Sequence, residues 1–300
     1  MMTVKDIVLG KTVWRESGRP SALRPSFLKL RASDLLAALS AVVLAFAALC
    51  ALFPGWIAPY SPTLMMADRI LLPPSAAHYF GTDYFGRDIF SVVVYGSRDS
   101  LLIGLASVLA GGLAGCVIGA VAGIAGGVID LLLMRFIEIV MTIPGILLAL
   151  AVAAVLGPNL FNIIFAVSIS MAPGFARVFR SQIIGVKERA FITAARSIGM
   201  PAPRIFFRHV LPNAWSPVLV MATIGLGTSI LSAAGLSFLG LGVIKEIPDW
   251  GTLLSQGRGY LTVAWWISTF PGAAITLVVL AGNIIGDWLR DRLDPKREQR

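Results

Sequence analysis

Apolar residues in this chain come in long unbroken blocks, not in the short alternations of a soluble fold. Leu35 to Phe53 is a 19-residue run in which Ser40 is the only strongly polar side chain. At ~1.5 Å per residue, a helix of that length spans a hydrocarbon core of about 30 Å. Further runs over 100–128, 132–156, 160–178, 214–240 and 262–288 predict five more spans. The pattern describes an all-α polytopic membrane protein with six transmembrane helices. It divides the chain into a basic tail (1–33), a first transmembrane helix (34–58) and a Pro-punctuated loop (59–99). A five-helix core (100–290) follows, interrupted by a polar segment at 181–212, and the chain closes with a short tail (291–300).

Composition agrees: 57% of residues are hydrophobic and 14% charged. The charges also orient the spans. Of the 25 Lys and Arg, 20 fall in the two ends, the 126–135 turn and the 177–212 segment, and 5 in the alternate connections. Cations accumulate on the cytoplasmic side, so both termini and the 181–212 segment are expected there. Topology and contact with anionic lipid account for the net charge of +9 without invoking nucleic acid. Cys50 and Cys116 fall in separate spans and predict free thiols, not a disulfide.

Within the spans, Gly111, Gly115, Gly119, Gly123 and Gly127 recur every four residues and line one helical face. Small residues let helix backbones approach closely in lipid, so this stripe predicts tight packing on a neighbouring helix or subunit. Arg135 and Glu138 are spaced to pair on one helix face, and Pro144 predicts a bend in the third span.

The 181–212 segment reads as two short helices. Ala190, Phe191, Ala194, Ala195 and Ile198 share one face, with Arg189, Thr193, Arg196 and Ser197 opposite. Gly199 is placed as a C-cap, Pro201 and Pro203 stop the first helix, and a second starts near Arg204 and ends before Pro212.

Candidate enzyme chemistry is thin. Gly10-Lys11-Thr12 lacks the upstream glycine and flanking elements of a phosphate-binding loop, and Ser26-x-x-Lys29 lies in the basic tail. His78 and His209 have no ligand-like neighbours in motif spacing. No catalytic residue and no metal site are expected. Asp83, Arg87 and Asp88 read as ion pairing and turn formation in an exposed loop.

Ala194-Ala195, Gly199 four residues on, and Leu211-Pro212 resemble the EAA loop of ABC-importer permeases, with Thr193 where that pattern has Glu and His209 where it has Ile. Gly81-Thr82-Asp83-Tyr84-Phe85-Gly86-Arg87-Asp88 is similar to the segment after the first span of dipeptide and oligopeptide permeases. Leu236 to Gly242, Pro248-Asp249-Trp250-Gly251, Trp265-Trp266, Phe270-Pro271-Gly272 and Gly286 to Pro295 match the same group in order. The resemblance, over about residues 30–297, is to the C-type permease subunit. It implies a type I importer arrangement in a bacterial inner membrane. It also implies a second, non-identical permease, two cytoplasmic ATP-binding subunits and an extracytoplasmic solute-binding protein. No cofactor is implied for this chain; ATP and Mg would sit on the ATPase subunits. Thr193, Ala194, Ala195, Arg196, Gly199, His209, Leu211 and Pro212 would couple to the ATPase. Gly81, Thr82, Asp83, Gly86, Arg87 and Asp88 would shape the extracytoplasmic mouth or its contact with the binding protein. Peptides are the expected cargo; nickel and glutathione permeases share these motifs, and a membrane scaffold or a channel are more distant alternatives.

Overall fold

The structure, a computed structural model, describes residues 32–293. The two tail motifs at Gly10-Lys11-Thr12 and Ser26-x-x-Lys29 lie outside the described residues, as does the chain beyond Leu293. The elements run α1 (Ala32–Leu52), α2 (Pro54–Ile57), α3 (Ile89–Ala125), α4 (Gly127–Met141), α5 (Gly145–Leu156), α6 (Leu160–Lys187), α7 (Ala190–Ser197), α8 (Ala202–Ile205), α9 (Leu211–Ala214), α10 (Ser216–Leu236), α11 (Trp250–Gly257) and α12 (Trp266–Leu293). No β-strand occurs among the described residues; Thr82 and Asp88 form an isolated antiparallel bridge.

Five helices are long and apolar enough to cross a membrane, and α4 with α5 makes a sixth span if the pair is taken together. That pair is bent by 86° at Thr142–Pro144. Pro144 can neither donate to the helical ladder nor leave room for the preceding turn, so the expected bend is a full break.

The span boundaries differ from the hydrophobic blocks in an instructive way. The second span begins at Ile89, not near 100, because Asp88 caps it: its carboxylate accepts from Ser91 N–H at 2.8 Å and from Ser91 Oγ at 2.7 Å. The fourth continues past 178 to Lys187. Two of its charges find partners along the way: Arg180 forms a two-pronged pair with Asp130 of α4, and Lys187 Nζ donates to the carbonyls of Gly123 (2.8 Å) and Ile124 (3.1 Å).

The α3–α6 pair forms the spine of the bundle. A Cβ at Gly111 would meet Ser168 O at 2.6 Å, at Gly115 Ala172 O at 2.3 Å, and at Gly119 Ala176 O at 2.4 Å. Gly123 abuts Ile183 in the same row. The stripe therefore packs on a helix of the same chain, and backbone meets backbone along it. Gly127 is outside this contact: it begins α4, and nothing lies within 4 Å of where its Cβ would be.

The start of α1 and the end of α12 meet at one end of the bundle. Asp34 of α1 accepts from Trp288 Nε1 at 2.9 Å and pairs with Arg292 at 3.1 Å, both in α12. Three apolar clusters form the core of the bundle. One, around Ile89, Trp250 and Ile267, lies under the 59–88 loop; one, around Ile163, Val167 and Leu236, joins the start of α6 to the ends of α5 and α10; one, around Phe175, Phe179 and Ile183, lies under the 188–215 connection.

Candidate functional site

The connection from α6 to α10 is a folded helix pair held on the end of the bundle. Ile192 and Ala195 of α7, Ile205 of α8, and Val210 all enter the apolar cluster around Phe179 and Ile183. The turn between α7 and α8 is closed by two backbone bonds, Gly199 N–H to Arg196 O (2.9 Å) and Met200 N–H to Ala195 O (3.1 Å). This is a Schellman cap, which requires a left-handed residue after the helix; Gly199 supplies it at φ +78°. The glycine was expected to cap, and it does.

The facing of α7 differs from the helical-wheel expectation. Ala195 is 8% exposed and packs inward with Ile192, while Ala190, Phe191, Ala194 and Ile198 turn outward. With apolar residues on both flanks, α7 buries the flank that meets α6 and leaves the other uncovered. Ile198 is 78% exposed, and Phe207 across the turn is 67% exposed. Thr193 and Arg196 are exposed as expected.

The second helix also differs. It starts at Ala202 and does not end before Pro212; it continues through a π-helical turn, Phe206–Val210, into α9. The wider turn, in which Leu211 N–H reaches Phe206 O, accommodates a proline that has no N–H to give. Leu211 packs against the cluster below and Pro212 is exposed. His209 stands edge-on to Phe191, with ring centroids 6.5 Å apart, and its Nε2 is buried without a hydrogen-bond partner.

At the opposite end, Gly81 to Asp88 forms a tight hairpin. Asp83 N–H donates to Arg87 O at 3.0 Å and Ile89 N–H to Gly81 O at 3.1 Å. Inside it, Arg87 Nε donates to Asp83 Oδ2 at 2.7 Å, while Asp83 Oδ1 accepts from the N–H groups of Phe85 (2.8 Å) and Arg87 (2.9 Å). Thr82 Oγ1 donates to Arg69 O and accepts from Leu72 N–H, and Thr82 O accepts from Trp266 Nε1 at 3.0 Å. Gly86 leaves no room for a side chain, since a Cβ would stand 1.9 Å from Met66 O. Ion pairing and turn formation are present as expected, but the loop is not exposed at these residues: Thr82, Asp83, Arg87 and Asp88 are all buried. They brace the hairpin from within, and their charged groups are covered by it.

Sequence reasoning missed two partners here. His78 Nδ1 lies 2.9 Å from Asp88 Oδ1, tying the loop to the cap of α3. Asp249, in the Pro-Asp-Trp-Gly segment, caps α11 through Thr252 N–H (2.8 Å) and accepts from Ser237 Oγ (3.0 Å). Burial holds its carboxyl above the usual carboxylate range, against those hydrogen bonds. The Asp-x-x-Thr spacing was the available signal for Asp249; none marked His78. Arg135 and Glu138 pair at 3.0 Å on the open face of α4, as their spacing predicts. Among the described residues no cluster of three or more His, Cys, Asp or Glu is placed to hold a metal.

A stack of broken and glycine-packed helices, with a helix pair docked across one end, defines a polytopic membrane protein. The family model described as "Binding-protein-dependent transport system inner membrane component" matches residues 115–299, and the chain belongs to that family. It is 44% identical over 276 residues to the dipeptide transport system permease protein DppC of Alkalihalophilus pseudofirmus, covering 92% of this chain and 90% of that one. It is 47% identical over 247 residues to the glutathione transport system permease protein GsiD of Escherichia coli, covering 82% of each. In fold it is similar to an inward-facing structure of the MetNI methionine ABC transporter, with TM-score 0.56 at 21% identity over 69% of this chain and 98% of that one. The chain is thus a multi-pass ABC-importer permease subunit that works with other ABC subunits and is not itself the ATP-hydrolysing component.

Proposed function

We propose that this chain is one of two non-identical permeases of a bacterial peptide importer and forms half of its pathway. Both of its ends face the cytoplasm, and the 190–214 helix pair receives the movement of an ATPase. The partner ATPases bind ATP and Mg, and an extracytoplasmic binding protein delivers the peptide. The cation bias supports the orientation. So does the meeting of Asp34 with Arg292 at the same end of the bundle as Lys187. Dipeptide and glutathione permeases among its relatives support a peptide cargo.

The observation that carries the coupling reading is the uncovered apolar row of Phe191, Ile198 and Phe207 around a rigid Gly199 turn. The helices beneath are anchored in the core, so force applied to this row reaches α6 and α10 directly. ATP-driven movement of the ATPases then exchanges outward and inward access, provided the contact differs between their two states. Ile198→Asp in the purified importer tests this: the ATPases should be lost while the permease pair stays folded. Retained ATPase with weakened association of the helix pair with lipid vesicles would make the row a lipid contact. Uptake of labelled dialanine against glutathione by the whole system decides between the two cargoes.

A further inference from the structure

One helix break, one proline and one glycine fall together where three segments of the bundle meet. α4 and α5 part at Thr142–Pro144, α6 carries Pro173 and Gly174 near its middle, and α10 carries Gly225. Between them lies a cavity of about 440 Å³. Its walls are built by an exchange. Met171 of α6 reaches over Gly225 of α10, where an added Cβ would stand 3.1 Å from Met171 Cε. Met221 of α10 reaches over Gly174 of α6, where the distance would be 2.8 Å. Each helix omits a side chain where the other sends a thioether. Methionine is long and unbranched, so each thioether fills the space that the facing glycine leaves open.

The cavity's hydroxyls are turned away. Ser170 Oγ donates to Val167 O at 2.7 Å and Thr228 Oγ1 to Gly225 O at 3.1 Å, each within its own helix. No charged side chain is among the residues that line it. A peptide entering here meets no counter-ion that would hold it, which suits a site that must release what it admits. What the walls can sense is volume.

We propose that this cavity is a passage subsite for peptide side chains, with Met171 and Met221 setting the size that passes and side-chain charge playing no part. The proposal rests on the peptide-importer reading. The test uses the complete importer in proteoliposomes, with its binding protein saturated in turn by alanyl-alanine, alanyl-tryptophan and alanyl-lysine. Met171→Ala with Met221→Ala should raise the rate for alanyl-tryptophan relative to alanyl-alanine by about threefold or more and leave the alanyl-lysine ratio unchanged. Leucine at both positions, which keeps the volume, should restore the original ratio. Thr228→Asp should favour alanyl-lysine. Equal slowing of all three peptides in the alanine variant would reduce the methionines to packing and overturn the proposal. A second arm does not depend on cargo. Thr228→Cys, in a chain lacking Cys50 and Cys116, should react with a water-soluble thiol reagent during ATP turnover. No labelling in any nucleotide state overturns the passage outright. Labelling without uptake of any dipeptide by the unaltered importer supports the passage and places the failure on the peptide reading.

Discussion

Asp83 and Arg87 lie four residues apart in the chain and 2.7 Å apart in space, in a hairpin that leaves Asp83 with 0% exposure. The pair closes the hairpin that carries the start of α3, and Arg87 also donates to Glu246 O at 3.3 Å in the segment before α11. Removing one member strands a charge without its partner, which typically costs about 3–5 kcal/mol. Asp83→Ala and Arg87→Ala should each lower folded yield and unfolding temperature in the purified permease pair. Asp83→Ala combined with Arg87→Met should recover part of the loss. Single variants with unchanged stability but lost transport would instead return these residues to a docking role.

Asp249 makes stability depend on pH with a sign opposite to that of an ion-paired carboxylate whose pKa is lowered on folding. Burial raises its pKa above the ordinary 3.8, so the folded chain binds this proton more tightly than the unfolded one. Its contribution is fully present below the ordinary value and is lost as pH rises through the raised one. Thermal unfolding across that window should show a falling term in the parent that is absent in Asp249→Asn, a residue that can still cap α11.

Gly119→Ala should drive α3 from α6, because its Cβ would fall 2.4 Å from a backbone oxygen, which cannot rotate away. Overpacking of this kind costs about 1–3 kcal/mol. Gly185→Ala is the control: it lies in α6 with nothing within 4 Å of the new carbon. Helix preference alone should make it neutral or stabilising by up to about 1 kcal/mol. Differential scanning of the two variants in detergent reads the contrast.

At the coupling pair, Ala195→Asp and Ile198→Asp should fail in different ways. The first places a charge under α7, in the Phe179–Ile183 cluster, and should destabilise the permease even without its ATPase. The second lies at an outward position and should spare stability while reducing ATPase retention at least tenfold. Gly199→Val should resemble the first, since a β-branched residue at φ +78° costs roughly 1–2 kcal/mol. Thr193→Ala, on the exposed polar flank, should be mild. Unfolding temperature and co-purified ATPase, measured on the same samples, separate the two modes.

Span existence, the glycine stripe, the break at Pro144 and the turn at Gly199 were legible in the sequence because each is a local property: a run length, a repeat of four, a missing N–H, a required positive φ. Charge bias added an orientation, and motif order pointed to the family. Other features were not local. Apolar residues occupy two flanks of α7, and only the positions of Phe179, Ile183 and Val218 decide that Ile192 and Ala195 turn inward. Charged Asp83, Arg87 and Asp88 read as surface until the hairpin folds back on Met66 and Leu72 and beneath Trp266, where their mutual bonds replace water. His78 finds Asp88, and Met171 finds Gly225, across contacts that no periodicity announces. In this chain, local chemistry determined which segments are helical, where they break and which sides are polar. Tertiary packing decided which of two plausible faces is covered, because covering depends on the neighbour's shape as much as on the residue's own.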